Sequence, residues 1–510
     1  MCEGFKGRIL PLLSKLESSY VSDLNQEWQE AKTFANVPGP TKFQMFRGFM
    51  KGGDFHGKSI QNLMQVCRQR YGNIFLLPGM FGKPTNVVTF NLDDYAKIIR
   101  TEGIYPIRPS NEIIYDYRMA RKDGLYSEMN LGLAGDGVHW GKFRQAVNPV
   151  LLHPRNAVLY LDPIQKVTND FIERIRKIRD STTLEVPGDF LTEIKHFAFE
   201  SVAAVAFDKD LGLVRKDASM TEAQKLFDDL EDFNKAMYEL GMKPSIYKYY
   251  KTPTYKRFEK AMDHISNICC EYANESLQRI AERGEAEGEG KSVLEQLVKI
   301  NPKIAVTMMA DMIIAGIETA SSAICAILLC LATHPEKQQK LRQEVLSVVG
   351  RTDKFTMENL KRMPYLKACI KESLRLYPVL FGNVRTTGMD LCLSSYQIPK
   401  GTNVFMASNM LLQDEKYFPQ PQIFVPERWL RTSAAAEEDL KSSNPFVFLP
   451  YGYGPRSCVG RRIVGLEMQM MLANIVRNFQ MEFNYSKDNA FENYFLNICV
   501  LPLKFKFKNL

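Results

Sequence analysis

The stretch from Ile304 to Ala332 constrains the fold of this chain more than any other part of the sequence. It is the longest helical pattern and is apolar on nearly all of its faces. A helix of this kind is buried, either inside a large protein or in a membrane. Asp311 and Glu318 lie within the stretch, which argues against a membrane span. The sequence therefore predicts a large domain with this helix running through its middle.

The remaining patterns predict a mostly α fold with small β-sheets. The composition, with 45% hydrophobic and 24% charged residues, is typical of a soluble globular protein. Because no linker or low-complexity tract divides the sequence, we expect residues 37–510 to form a single domain, with an irregular segment at 104–136. Further helices are predicted at 156–178, 189–207, 222–240, 255–283, 365–377 and 460–479, and strands at 73–78, 85–90, 385–403 and 503–508.

Residues 1–36 leave two interpretations open. They contain no apolar run of about twenty residues, so no transmembrane anchor is readable. The short apolar and basic segment Phe5–Leu16 is typical of a mitochondrial targeting helix. Pro11 and the acidic residues that follow favour a mobile terminus instead.

A single cysteine, Cys458, lies in a glycine-rich turn with a helical pattern directly after it. Backbone N–H groups near Gly454 and Gly460, the helix N-terminus and the charge of Arg456 would all stabilise its thiolate. Such a thiolate is a nucleophile or a metal ligand, and a buried structural cysteine is the third interpretation. No histidine lies in the last third of the chain to act as a base, and zinc-ligand spacing is lacking. The pattern therefore favours an axial ligand of a haem, with Arg456 placed for a propionate.

The middle of the long helical stretch contains Ala315-Gly-Ile-Glu-Thr319. Glycine destabilises a helix, so Gly316 needs a reason, and the hydroxyl of Thr319 can bond the carbonyl four residues earlier. We expect a groove here, in which Glu318 and Thr319 supply an acid and an alcohol for proton transfer. A simple helix kink with a satisfied polar side chain is the alternative.

The cysteine stretch resembles the cysteine loop of the cytochrome P-450 family, the haem-thiolate monooxygenases. Tyr451 replaces the phenylalanine that is usual seven residues before the cysteine. Ala315–Thr319 is similar to the oxygen-activating segment of that family, which implies that Glu318 and Thr319 pass protons to bound oxygen.

Three further segments add to the resemblance. Trp140 and Arg144, four residues apart on one helix face, are similar to the family's Trp-x-x-x-Arg pair, which binds a haem propionate; a surface arginine covering a tryptophan is the other interpretation. Arg385 matches a second propionate-binding arginine.

A third similarity concerns a structural triad of the family. Glu372-x-x-Arg375 resembles the family's Glu-x-x-Arg motif, and Arg428 of Pro-Glu-Arg-Trp is its expected partner. The resemblance implies a buried carboxylate between two guanidiniums that fixes the loop before the cysteine.

The resemblance implies the cytochrome P-450 fold, haem b as cofactor, and insertion of one atom of O2 into an apolar small molecule. The wider sequence around Arg385 and Cys458 is similar to that of the insect mitochondrial branch. That branch implies electrons from an iron–sulfur ferredoxin with its NADPH-dependent reductase, and a location on the matrix side of the inner mitochondrial membrane.

A candidate site for the electron donor lies on the predicted helix 365–377. Lys367 and Lys371 lie on one face and match positions that bind the ferredoxin in the mitochondrial branch, and Arg461 and Arg462 could extend the patch. A solvated pair of lysines is the alternative. The net charge of +8 permits an acidic partner or an anionic membrane surface, and no nucleic-acid-binding signature is present.

The sequence leaves open both the contact with a membrane and the identity of the substrate. The tyrosine-rich basic segment 243–257 would suit a membrane interface or a solvated connector. The resemblance implies a substrate that is a foreign compound or steroid-like, with ecdysteroid-type hormone hydroxylation as an alternative. A non-catalytic haem-binding sensor or carrier is the rival class, against which Glu318 and Thr319 argue.

Overall fold

The computed structural model describes residues 26–510 except 81–82, 110–111, 128–129, 217–219, 243–244, 284–291, 431–443 and 494–495. The predicted targeting segment Phe5–Leu16 therefore lies outside the described residues. The chain divides into two compact units. The larger unit comprises residues 111–381, 409–452 and 456–510, and the smaller unit comprises residues up to 110 together with 382–408 and 453–455.

A four-stranded sheet forms the centre of the smaller unit. Its outer strand pairs are antiparallel and its middle pair is parallel. In the middle pair, Val87 and Val404 are in register and fully buried, as expected for β-branched residues in a covered sheet. The strand order is Ile74–Leu77, Asn86–Thr89, Asn403–Met406 and Asn383–Thr386. The other elements are the helices Lys42–Phe49, Ile60–Tyr71 and Leu92–Thr101, the 3-10 helix Phe34–Asn36, and a hairpin of Leu391–Leu393 with Tyr396–Ile398.

Helices dominate the larger unit, with two small antiparallel strand pairs. The pairs are Phe479–Glu482 with Lys506–Asn509, and Phe491–Asn493 with Asn497–Cys499. The helices are Glu112–Ala120, Gly137–Leu152, Val158–Ile178, Phe190–Ala206, Met220–Met242, Pro253–Arg283, Val293–Ile300, Pro302–Ala332, Pro335–Val349, Met357–Lys361, Pro364–Leu376 and Arg461–Asn478. Short 3-10 helices lie at Gly132–Ala134, Pro154–Ala157 and Pro426–Trp429, and a one-turn helix, Ser408–Leu411, begins at the end of the smaller unit's second segment.

The helix Pro302–Ala332, here called the central helix, is buried over most of its length, as its sequence predicts. The Asn301 side chain caps its start by accepting hydrogen bonds from the N–H groups of Lys303 and Ile304. Its length and composition would also suit a membrane span, but most of it is buried within the protein. It packs against the helix Phe190–Ala206.

The prediction that residues 104–136 are irregular is wrong in part. A helix covers Glu112–Ala120, and its residues Ile113, Ile114 and Tyr117 are buried. The buried residues recur at helical spacing, so the signal was present, but the helix is short and its flanks are rich in turn-forming residues.

Candidate active site

Cys458 is exposed although its neighbours Arg456, Ser457 and Val459 are buried. It is the exposed one among the nine cysteines that the structure describes. Its N–H donates to the carbonyl of Tyr451 at 2.8 Å, which closes the turn, and the helix Arg461–Asn478 begins three residues later. A thiol that is open between buried neighbours at a helix N-terminus suits a metal ligand.

Trp140, Arg144 and Arg456 meet beside this turn in the larger unit, and all three are buried. The guanidinium carbon of Arg456 lies 3.8 Å from the centre of the Trp140 ring. Both terminal nitrogens of Arg144 donate to the carbonyl of Ser457 at 3.1 Å. Guanidinium groups bind carboxylates, and two of them lie next to the residue that precedes Cys458. These residues therefore fit a haem with its propionate groups.

Arg385 lies in the smaller unit, where sequence reasoning missed its partner. Its Nε donates to Oε2 of Glu102 at 2.5 Å, and both side chains are buried. Gly454 has a positive φ of 71°, and a Cβ there would lie 2.7 Å from Oε1 of Glu102. The Nη atoms of Arg385 donate to the carbonyls of Val384 and Tyr453. Its two remaining N–H groups have no acceptor among the described residues, so they could bind a carboxylate.

Thr319 and Ala315 mark an open face on the central helix. The Thr319 hydroxyl donates to the carbonyl of Ala315 at 2.7 Å, as the sequence predicts. Ala315 is exposed and Thr319 is half-buried, whereas most of the helix is buried. The requirement for glycine at position 316 comes from packing and not from the expected groove, since a Cβ there would lie 2.8 Å from Cγ2 of Val202. The glycine therefore permits close packing of two helices.

Glu318 forms a buried ion pair that sequence reasoning did not find. Its Oε1 lies 2.6 Å from Nζ of Lys195, which also pairs with Glu231 at 2.8 Å. Burial raises the pKa of the Glu318 carboxyl, and the charge of Lys195 acts in the opposite direction. The acid next to Thr319 is therefore bound to a lysine from the helix Phe190–Ala206.

The structure brings Glu372, Arg375 and Arg428 together. The Glu372 carboxylate accepts from Nε and Nη2 of Arg375 at 3.0 and 2.9 Å, and from Nε of Arg428 at 3.2 Å. Nε1 of Trp429 is a fourth donor, at 2.9 Å. Glu372 and Arg375 are both fully buried. Nη1 of Arg375 also donates to the carbonyls of Leu412 and Pro421, so the group binds two parts of the preceding loop.

The two lysines proposed for donor binding differ in their surroundings. Lys371 is exposed, and its Nζ lies 5.5 Å from the Trp429 ring centre. Lys367 is half-buried, and its Nζ donates to the carbonyl of Lys361. Burial lowers the pKa of Lys367, and the nearby charges of Lys361 and Lys371 lower it further, against the opposite effect of Glu344. Lys361, Lys367, Arg461 and Arg462 line one concavity.

A model of the family described as cytochrome P450 matches residues 37–509, and the chain belongs to that family. It is therefore a monooxygenase that binds haem b and uses O2 and a redox partner. The sequence predictions of the family, the mostly α fold, the activity and the cofactor are confirmed.

The relatives place the chain near an insect mitochondrial group. A Drosophila melanogaster protein named "Probable cytochrome P450 12c1, mitochondrial" is 48% identical over 500 residues, which cover 97% of this chain and 95% of that protein. A Musca domestica protein named "Cytochrome P450 CYP12A2" is 43% identical over 504 residues, covering 96% and 93%. The solved structure titled "Crystal structure of cytochrome P450DA heme domain" shares the fold, with a TM-score of 0.74, 17% identity and coverage of 93% and 97%.

Proposed function

We propose that residues 37–510 form one monooxygenase domain that oxidises an apolar small molecule, a foreign compound or a steroid-like one, with electrons from an iron–sulfur ferredoxin. The observation that supports this most directly is the open Cys458 thiol beside the buried guanidiniums of Arg144 and Arg456. In this proposal the Cys458 thiolate would hold the haem iron, and Trp140, Arg144 and Arg456 would bind one propionate. For Arg385, the sequence resemblance alone supports binding of the other propionate. When bound, haem supplies the activation of O2.

Proton supply is the task we assign to Glu318 and Thr319. Glu231, Lys195 and Glu318 form a continuous series of ion pairs, with side-chain exposures of 26%, 14% and 9%. A proton from solvent can reach Glu318 along this series, because burial favours the protonated form of its carboxyl. Thr319 lies next in the chain, on the open face of the helix, and its hydroxyl can accept a hydrogen bond while it donates one to Ala315.

The substrate side would be lined by Val379, Leu380 and Phe381. Leu380 is 40% exposed, and its backbone pairs with Leu496. Apolar side chains favour an apolar substrate. They do not choose between a foreign compound and an ecdysteroid-type hormone. A screen that follows the haem spectrum while steroids and insecticide-like molecules are added separates these two.

Electron donation rests on the basic surface around Lys367. An acidic protein surface is complementary to this patch, which agrees with a ferredoxin donor. The variant Lys367→Glu with Lys371→Glu should raise the ferredoxin Kd by about tenfold or more at low salt and leave substrate binding unchanged. Lys177→Glu, at an exposed lysine on Val158–Ile178, is the matched control. Equal ferredoxin affinity in the double variant would reject this docking site.

We place the protein in the mitochondrion, at the matrix side of the inner membrane; the word "mitochondrial" in the name of the Drosophila melanogaster relative supports the mitochondrial part of this location. Peripheral membrane contact is supported by exposed aromatic side chains. In the smaller unit, the helix Lys42–Phe49 exposes Phe43 and Phe46, and in the larger unit Tyr249 and Tyr250 are exposed. Rings at the surface beside basic residues suit a membrane interface.

Reconstitution tests the function as a whole. The purified protein, with ferredoxin, its reductase and NADPH, should form an oxygenated product that requires both O2 and the ferredoxin. A non-catalytic sensor or carrier would bind haem and form no product under any of these conditions.

A further inference from the structure

A buried ion pair joins Arg118, on the helix Glu112–Ala120, to Asp311 on the central helix. Nη2 of Arg118 lies 2.6 Å from Oδ1 of Asp311, and the exposures of the two side chains are 0% and 6%. Asp311 lies about one turn before Ala315. A buried ion pair stabilises a fold no better than apolar residues of the same size, so its presence suggests that it fixes a particular geometry.

Both members of the pair bind residues 130–136, here called the connecting segment. Oδ2 of Asp311 accepts from the N–H of Leu133 at 2.6 Å, and Nη1 of Arg118 donates to the carbonyl of Leu131 at 2.8 Å. Between them, Gly132 has a positive φ of 63°. A Cβ at Gly132 would lie 2.3 Å from Oδ2 of Asp311, so the segment is closely fitted to the pair.

The other end of the connecting segment binds Arg456. Nη2 of Arg456 donates to the carbonyl of Gly135 at 3.1 Å and to the carboxylate of Asp136. These bonds hold the guanidinium over the Trp140 ring. The connecting segment therefore joins the central helix to the arginine that precedes Cys458 by two residues.

We propose that Arg118 and Asp311 are positioning residues that fix Arg456, through the connecting segment, in the orientation that binds a haem propionate. The inference rests on the proposed role of Arg456 in haem binding. A free arginine side chain has many rotamers, so a partner that restricts it in advance reduces the entropy lost on binding. The pair supplies that restriction from the same helix that carries Glu318 and Thr319.

The test compares haem retention in the full-length holoprotein. Arg118→Met with Asp311→Asn removes both charges together, so that neither is left buried alone. Haem transfer to excess apomyoglobin should become about tenfold faster, as expected for the loss of a charge-assisted hydrogen bond. In the haem-free protein, amide exchange at Leu133 should also accelerate.

Glu200→Gln is the matched control. Glu200 is likewise a buried helix carboxylate that accepts two backbone N–H groups, from Gly212 at 2.9 Å and Val214 at 2.6 Å, but its loop bonds none of the proposed haem-binding residues among those that the structure describes. It should lose haem at the parent rate. In an Arg456→Met background, removal of the Arg118–Asp311 pair should have no additional effect.

Three results would overturn the inference: unchanged haem loss without the pair, equal acceleration in Glu200→Gln, or additive effects in the Arg456→Met background. Each of these leaves the proposed monooxygenase function intact if the parent protein still forms product. Failure of the parent protein to bind haem would instead reject the proposed function.

Discussion

Glu372 and Glu318 are both buried carboxylates in the larger unit, but their partners differ in number and kind. Glu372 accepts hydrogen bonds from two arginines and a tryptophan, all of them fixed in the fold. Glu318 pairs with the ammonium group of Lys195, which it shares with Glu231, and accepts one long hydrogen bond from Nδ2 of Asn234 at 3.5 Å. A carboxylate with so many fixed donors is held in one place.

A carboxylate with one shared cation can take up a proton and move. Burial raises the pKa of Glu318, and only Lys195 strongly opposes that effect. The comparison therefore separates a structural carboxylate from one that is suited to proton transfer. Their places in the sequence motifs do not separate them, since Glu372 lies three residues from Arg375 and Glu318 lies next to Thr319.

The largest expected effect concerns stability at Glu372. Glu372→Gln removes the buried carboxylate charge that Arg375 and Arg428 share, and we expect a loss of about 3–5 kcal/mol in the free energy of unfolding. Glu318→Gln leaves Lys195 paired with Glu231, so its cost should stay below about 1.5 kcal/mol. Urea unfolding of both variants measures the difference, and equal losses would remove the distinction between the two carboxylates.

The second effect concerns catalysis at Glu318. Glu318→Gln should lower the rate of product formation by about 100-fold, because the amide cannot donate the acid proton. Lys195→Met should raise the pKa of Glu318 further and extend activity to higher pH, since the protonated acid then persists there. Rates over a pH series with saturating ferredoxin test both variants. A parent-like rate in Glu318→Gln would show that protons take another path.

A smaller effect is expected at Thr319. Thr319→Ala should raise the hydrogen peroxide released per NADPH consumed by about tenfold, because the hydroxyl that would order proton delivery is then missing. Thr333→Ala is the matched control, since its hydroxyl makes the same bond to the carbonyl four residues earlier, at 2.8 Å. If the two variants release peroxide equally, the hydroxyl of Thr319 has no special role.

The smallest effect is expected at a third buried carboxyl, Glu467. Burial raises its pKa well above the ordinary 4.5, and the hydroxyl of Ser201 only partly opposes this. A raised folded-state pKa adds stability that is present below the unfolded pKa and is lost as pH rises through the folded one. Glu467→Gln should therefore match the parent at low pH and lose less stability on going to high pH. Urea unfolding at several pH values checks this, and a steeper loss in the variant would contradict it.

The helices were the most predictable part of the fold. The apolar pattern at Ile304–Ala332 predicts the central helix to within two residues. It also predicts that the helix is buried, since a helix that is apolar on all faces is stable only away from water. The triad residues and the Trp140 pair could be placed because each motif keeps its members on one helix or in one short turn. The helix Glu112–Ala120 was missed because it is short.

The partners of the site residues could not be predicted. In the sequence, Glu102 lies far from its partner Arg385, and Lys195 lies far from its partner Glu318. Asp136, the partner of Arg456, lies in a segment without a recognisable pattern. Charged residues of these types are also common. The reason for Gly316 likewise depends on Val202, which only the packing of two helices brings close. Tertiary contacts of this kind leave no periodic signal in a single sequence.

The carbon monoxide difference spectrum of Cys458→Ala tests the central claim most directly. The parent protein and Cys270→Ala, at a half-buried cysteine, should both give the spectrum typical of a thiolate-ligated haem. Cys458→Ala should lose that spectrum or fail to bind haem. A Cys458→Ala protein that keeps the thiolate-type spectrum would contradict the account.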